Sequence, residues 1–164
     1  MTDDRLLLVG EAPSRRGRGP LVGPSGARLA DLLGVTLSWL ESNTERVNVL
    51  AANPGPVAPG RSGDLFPIRL ARAQAARLLP LMRGRRTLVL GRRAASAIDP
   101  RLGQLPYMAW TDDLLADVRV ALLPHPSGAN RFWNSRDNRE LARRFVADAL
   151  GLPSGAGSLD FDRP

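Results

Sequence analysis

The chain has 164 residues, enough for one domain and too few for two comfortable ones. It carries 23 basic and 16 acidic residues, a net charge of +7, and every basic residue is Arg. With no Cys, no Lys and one His, it excludes a disulfide framework, a Cys-ligated zinc or iron–sulfur centre, a His-based metal triad, a side-chain Schiff base and a P-loop lysine.

The first apolar run, Arg5–Val9, has strand length. A loop rich in Gly and Pro follows, from Gly10 to Gly26, with Arg15, Arg16 and Arg18 in its middle. Glycine lets a backbone approach a ligand closely, and a following helix offers its amide-rich N-terminus to an anion. The loop matches neither a Walker sequence nor GxGxxG, so it also reads as a plain connection. Ser25 to Leu33 is expected to be helical, with Ser25 as its N-cap and Leu29, Leu32 and Leu33 on one face. The second strand is expected over Arg46–Ala51 and contains Asn48. An amide in an apolar strand either bonds to neighbouring backbone or reads a donor–acceptor pair such as a pyrimidine edge.

Pro67 to Met82 is expected to form one helix opened by its proline. Thr87–Leu90 is the third strand, Arg92–Ile98 a short helix and Val118–Leu123 the fourth strand. The loop after it holds the only histidine, His125, between two prolines, followed by Phe132 and Trp133, which read as core or as cleft walls. Asp137 to Leu150 is expected to be a helix with an Asp137 N-cap and an apolar face of Leu141, Phe145 and Ala149, stopped by Gly151. Residues 151–164 read as a flexible tail.

Strands that are apolar on both faces and alternate with helices predict an α/β fold, with a central four-stranded parallel sheet in a three-layer α/β/α sandwich. Ligands of such sheets bind outside the carboxyl ends of the strands. The functional loops therefore follow Val9, Ala51, Leu90 and Leu123. With 43% hydrophobic residues and a mean hydropathy of −0.16 the chain reads as globular. No apolar run approaches the ~20 residues of a membrane span, and the start lacks a basic signal-peptide region. An intracellular, cytoplasmic protein is expected. Residues 51–100 hold nine Arg and two acids, so they carry the net charge. That reads as a solvated basic face or as a surface for a polyanion.

Four elements in order resemble the uracil-DNA glycosylase superfamily. Gly10-Glu11-Ala12-Pro13 with Pro20-Leu21-Val22-Gly23-Pro24-Ser25-Gly26 resembles its first motif. Val47-Asn48-Val49 with Asn53-Pro54, then Thr87–Ala95, then His125-Pro126-Ser127-Gly128-Ala129-Asn130, are similar to its later elements. The resemblance spans roughly residues 5 to 150 and implies one glycosylase-like domain over 1–150.

The resemblance implies hydrolysis of the bond between a base and its deoxyribose, on a base flipped out of DNA. Asn48 and His125 would be catalytic: Asn48 reads the pyrimidine edge, and His125 hydrogen-bonds the base oxygen that becomes anionic. Glu11, Ala12, Leu21 and Asn48 would line the base pocket. Arg15, Arg16, Ser25 and Ser127 would meet DNA, and Gly128, Ala129, Asn130 and Arg131 would fill the gap left in the stack. Ala12 stands where some members carry an Asp that orients water, which leaves Glu11 as a candidate. Leu21 stands where an aromatic platform is usual, with Phe66 or Trp133 as possible substitutes.

Without lysine, a monofunctional enzyme that leaves an abasic site is expected, with no cofactor or metal, acting as a monomer on DNA. The alternative is a non-catalytic or altered-specificity DNA-binding relative acting on a modified pyrimidine. A third class, a small-molecule hydrolase using Ser25 with His125, lacks a GxSxG elbow.

Overall fold

A computed structural model describes residues 5–15, 19–58, 64–127 and 130–152. Four parallel strands form the sheet: β1 (Leu6–Gly10), β2 (Thr44–Asn48), β3 (Arg86–Leu90) and β4 (Arg119–Leu123), in the order β2-β1-β3-β4. Strand β1 is central and buried along its length. Its side chains alternate between two cores, as the period of two in a strand requires.

Leu7 and Val9 pack with Ala71, Ala75 and Ala94 from helices α3 (Ile68–Ala75) and α5 (Arg92–Ile98). Leu6 and Leu8 pack with Leu29, Leu33 and Val146 from α1 (Pro24–Leu33) and α6 (Arg136–Ala149). The result is the expected three-layer sandwich.

The register pairs Gly10 with Asn48 and Leu90 with Leu123. It therefore brings the carboxyl ends of all four strands to one edge. The chain leaves β1 for β2 on one side, and β3 lies on the other. The crevice where connections diverge thus falls at Gly10 and Gly91, the usual ligand position in an open α/β sheet.

Edge strand β2 carries half-buried Glu45 and Arg46. Edge strand β4 is covered by the segment Tyr107–Thr111, whose Met108 and Thr111 amides donate to the Leu122 and Val120 carbonyls at 2.8 and 2.9 Å. Both arrangements blunt an open sheet edge. Among the described residues no helix is long and apolar enough to cross a membrane.

Several expected boundaries differ. Strand β2 runs over Thr44–Asn48 and not the expected Arg46–Ala51, so Asn48 ends the strand instead of lying inside it. Helix α1 is capped by Gly23 with Pro24 in its first turn, so Ser25 lies inside the helix rather than at its cap. The expected helix 67–82 is α3, a 3-10 turn over Ala76–Leu78, and α4 (Leu79–Met82). Pro80 explains the break, since it has no amide to offer the Ala76 carbonyl and its ring crowds that group. Helix α2 (Leu37–Asn43) has only seven residues, too few for clear periodicity. Its cap is visible in retrospect, because Thr36 Oγ1 accepts from the Trp39 amide at 3.1 Å. Helix α6 is capped by Ser135, not Asp137, and buries Ala142, Val146 and Ala149, while Leu141 is 54% exposed. The expected tail beyond residue 152 lies outside the described residues.

Candidate active site

Strand β2 ends at Asn48, which is 5% exposed. Arg77 holds this end of the strand from below. Its guanidinium donates to the carbonyls of Asn48 and Val49 at 2.9 and 2.8 Å, and Gln74 Oε1 accepts from the Ala51 amide at 2.8 Å. The backbone around Asn48 is therefore rigid. Its side chain is not so engaged: Oδ1 is buried and has no hydrogen-bond partner among the described residues. A Cβ at Gly10 would stand 2.5 Å from that oxygen and 3.3 Å from Leu21 Cδ2. Only glycine lets the amide and Leu21 close over the end of β1. Leu21 has φ 54°, a left-handed backbone that a leucine adopts at a cost of about 1–3 kcal/mol, and it is 7% exposed.

The second half of the site follows β3 and β4. Gly91 has φ 96° and receives the chain end of β4 by donating its amide to the Leu123 carbonyl at 2.8 Å. A Cβ there would lie 3.1 Å from both Glu11 Oε1 and His125 Cβ. Glu11 thus points at the turn against which His125 packs. Arg93, in the first turn of α5, binds this carboxylate through two bonds, Nε to Oε1 at 3.1 Å and Nη2 to Oε2 at 2.5 Å.

His125 is half-buried between buried Pro124 and Pro126. Its carbonyl accepts from the Ser127 amide at 2.8 Å, Trp133 Nε1 at 3.0 Å and Asn130 Nδ2 at 3.2 Å. Three donors on one carbonyl fix the turn that presents the imidazole. Burial, with help from the nearby Arg93 charge and against the pull of Glu11, holds the imidazole below its ordinary pKa of 6.5. The ring is neutral at neutral pH.

Loops one and two are tied together. Asn53 Nδ2 donates to the Pro13 carbonyl at 2.9 Å and to Asp64 at 3.2 Å, and Arg15 donates to Asp64 Oδ1 at 2.6 and 3.0 Å. Burial raises the Asp64 carboxyl, but the bonds from Arg15 and Asn53 outweigh it and hold the pKa below 3.8.

Of the expected site residues, Glu11, Ala12, Leu21, Asn48, His125 and Ser127 all stand at the carboxyl edge of the sheet. Ser25 is half-buried in the first turn of α1. Arg15 is exposed but paired with Asp64, and Arg131 is exposed. Asn130 uses its side chain within its own loop, where Oδ1 accepts from the Phe132 amide at 3.1 Å and Nδ2 holds the His125 carbonyl. Arg16, Gly128 and Ala129 lie outside the described residues.

Neither proposed substitute platform is free. Trp133 is 1% exposed in a core with Leu32 and Ala142. Phe66 packs against the core, and the Arg93 guanidinium sits 5.3 Å from its ring centroid.

The basic middle third is also partly engaged with the fold itself, although Arg77, Arg92 and Arg93 stay exposed. Arg77 and Arg92 hold backbone carbonyls, while Arg85 and Arg93 hold Glu45 and Glu11. Exposed Arg83 and Arg86 sit at the amino end of β3, away from the site, whereas exposed Arg69 and Arg72 lie on α3, which starts at the site's edge.

Sequence reasoning gave no role to Arg93, Asp64 or Arg77, and placed Asn53 in the second motif without one. Arg93 binds a partner 82 residues away, so no local spacing announces it. The Asn53-Pro54 pair just beyond a strand marks a turn, but not the Pro13 carbonyl and Asp64 carboxylate that Asn53 holds.

A search of curated proteins finds no match to this chain. The family model for the uracil DNA glycosylase superfamily matches residues 2–150, which covers every element of this site. With a four-stranded parallel sheet and a strand-end crevice in the place such chemistry requires, the chain belongs to the uracil-DNA glycosylase superfamily.

Proposed function

We propose that the protein is a monofunctional DNA glycosylase that hydrolyses the N-glycosidic bond of uracil, or a closely related pyrimidine, and leaves an abasic site. Membership of the superfamily supports a DNA-acting, glycosylase-like hydrolase in general. The finer reading rests on one observation: the buried Asn48 Oδ1 that has no partner at the strand-end crevice. A buried acceptor without a partner costs about 1–3 kcal/mol. Other buried polar atoms, Ser14 Oγ, Arg28 Nε and Thr87 Oγ1 among them, also lack a partner among the described residues, but Asn48 Oδ1 lies at the strand-end crevice, where a ligand donor would meet it. Uracil presents an imino N–H donor beside a carbonyl acceptor, the complement of one primary amide. Cytosine presents a bare ring nitrogen beside an amino group.

As the bond to deoxyribose breaks, its electron pair moves onto the base, and the base carbonyl oxygen next to the bond becomes anionic. A neutral His125 N–H donates to that oxygen, in a preorganised and partly dry position. Glu11, turned toward the same side, is the carboxylate that orients the attacking water in place of the absent Asp at Ala12. Arg15, Arg16, Ser25, Ser127 and the Gly128–Arg131 loop meet the DNA around the flipped nucleotide. Base excision stops at the abasic site because no lysine is available to attack it.

The test is an oligonucleotide with a single uracil, incubated with the protein and then treated with alkali. Scission at the uracil position that is lost in Asn48→Ala and His125→Ala supports the proposal. Tight DNA binding with no alkali-labile site, even with enzyme in excess, would instead establish the non-catalytic or altered-specificity relative.

A further inference from the structure

We propose that Arg93 is a positioning residue that fixes the Glu11 carboxylate against the Gly91 turn, beside His125. The inference rests on the catalytic reading of Glu11 and His125 given above. Three observations carry it. The Arg93–Glu11 pair is two-pronged, and although the Arg93 side chain is 55% exposed, the Glu11 carboxylate it grips is only 11% exposed, so its direction is set by the fold and not by solvent. The Arg93 guanidinium is steadied from another side by the Phe66 ring, 5.3 Å from its centroid. Glu11 Oε1 and His125 Cβ both lie 3.1 Å from the place a side chain at Gly91 would take, which puts carboxylate and imidazole on one turn.

Without Arg93, nothing in these contacts directs Glu11 at Gly91. The carboxylate would be free to turn to solvent, and the water it holds would lose its alignment. Arg93 touches neither base nor sugar in this scheme, so its effect passes through Glu11. Its charge also acts on the imidazole in opposition to that of Glu11.

The single histidine makes the test direct, because its imidazole proton resonance is the only one of its kind. The His125 midpoint is measured by NMR titration in wild type, Glu11→Gln, Arg93→Met and the double variant. Glu11 pulls the midpoint up, so Glu11→Gln lowers it in the wild-type background. If Arg93 holds Glu11 in place, the same change moves the midpoint much less in the Arg93→Met background. Equal shifts in both backgrounds would overturn the proposal.

The second arm is the single-turnover rate at saturating uracil-containing DNA. Arg93→Met is expected to lower it roughly ten- to hundredfold, with DNA affinity within about threefold of wild type. Arg93→Lys, which keeps the charge and loses the fork, is expected to recover only part of the rate. Weakened DNA binding with an unchanged saturated rate would make Arg93 a phosphate contact and sink the positioning role. Should wild type prove inactive on uracil, the proposed function fails, while the NMR cycle still decides what Arg93 holds.

Discussion

Replacing Asn48 by Ala separates function from stability in an unusual direction. Most buried polar side chains are satisfied, and their removal destabilises. Asn48 Oδ1 is buried and unpartnered, so its desolvation is a standing cost of about 1–3 kcal/mol to the free protein. Truncation leaves a void about the size of one water, ~30 Å³. At about 24 cal/mol per Å³ that void costs roughly 0.7 kcal/mol. The variant is therefore expected to be more stable than wild type by about 0.3–2.3 kcal/mol. For a chain of this size that raises Tm by about 1–9 °C. Over the same substitution kcat/KM on a uracil oligonucleotide falls roughly 5- to 150-fold, the worth of one two-pronged base contact. Thermal melts of the two proteins in one buffer, with alkaline cleavage assays on the same preparations, measure both effects. A Tm that falls by more than a few degrees would show that the amide is satisfied in the free protein, and the reasoning for an open ligand position would collapse.

Gly91→Ala puts a side chain into a backbone with φ 96° and ψ 145°, 3.1 Å from Glu11 and His125. It is expected to lose about 1–3 kcal/mol of stability, seen as a Tm drop of about 2–12 °C, and to slow the reaction by displacing both groups. His125→Ala is expected to lower kcat by about 10²–10³-fold with near-native DNA affinity, measured by single-turnover kinetics and fluorescence anisotropy. Because the wild-type imidazole is held below 6.5, activity should persist into mildly acidic solution and fall only once pH drops below that value. A pH–rate profile centred above 7 on its acid side would contradict this. Asp64 has a depressed folded-state pKa, so what it adds to stability is present above pH 3.8 and is lost as pH falls through the folded value. Thermal melts of wild type and Asp64→Asn should therefore differ at pH 7 and converge only as pH falls below 3.8 through the folded value. With Arg15 and Asp64 both about half exposed, the difference will be small.

The architecture was legible because it depends on local properties. Three short runs of Leu and Val, each apolar on both faces, call for a parallel sheet with helices on both sides, whereas the edge strand β2 carries Glu45 and Arg46 and was less legible. The turns after them announce themselves through Gly and Pro. Element ends were less legible where a helix was short or where two capping residues competed. Ser135 and Asp137 both suit an N-cap, and only the packing of Val146 and Ala149 against the sheet chose the phase of α6. The same phase turned Leu141 outward.

The absence of Lys and Cys, the order of the four motifs and the positions of Asn48 and His125 were all readable from the chain alone, since each is a matter of residue type at a strand end. Tertiary structure decided what those residues face. The register of β1 against β2 set Gly10 beside Asn48 and left its oxygen without a partner. The meeting of the β1 and β3 loops gave Glu11 an arginine 82 residues away and directed it toward His125. Folding also engaged four arginines of the basic middle third with carbonyls and carboxylates of the fold, three of them still exposed. A sequence records which charges exist, but whether a charge meets solvent, a carboxylate or DNA depends on distances between segments far apart in the chain, and those exist only once the sheet has formed.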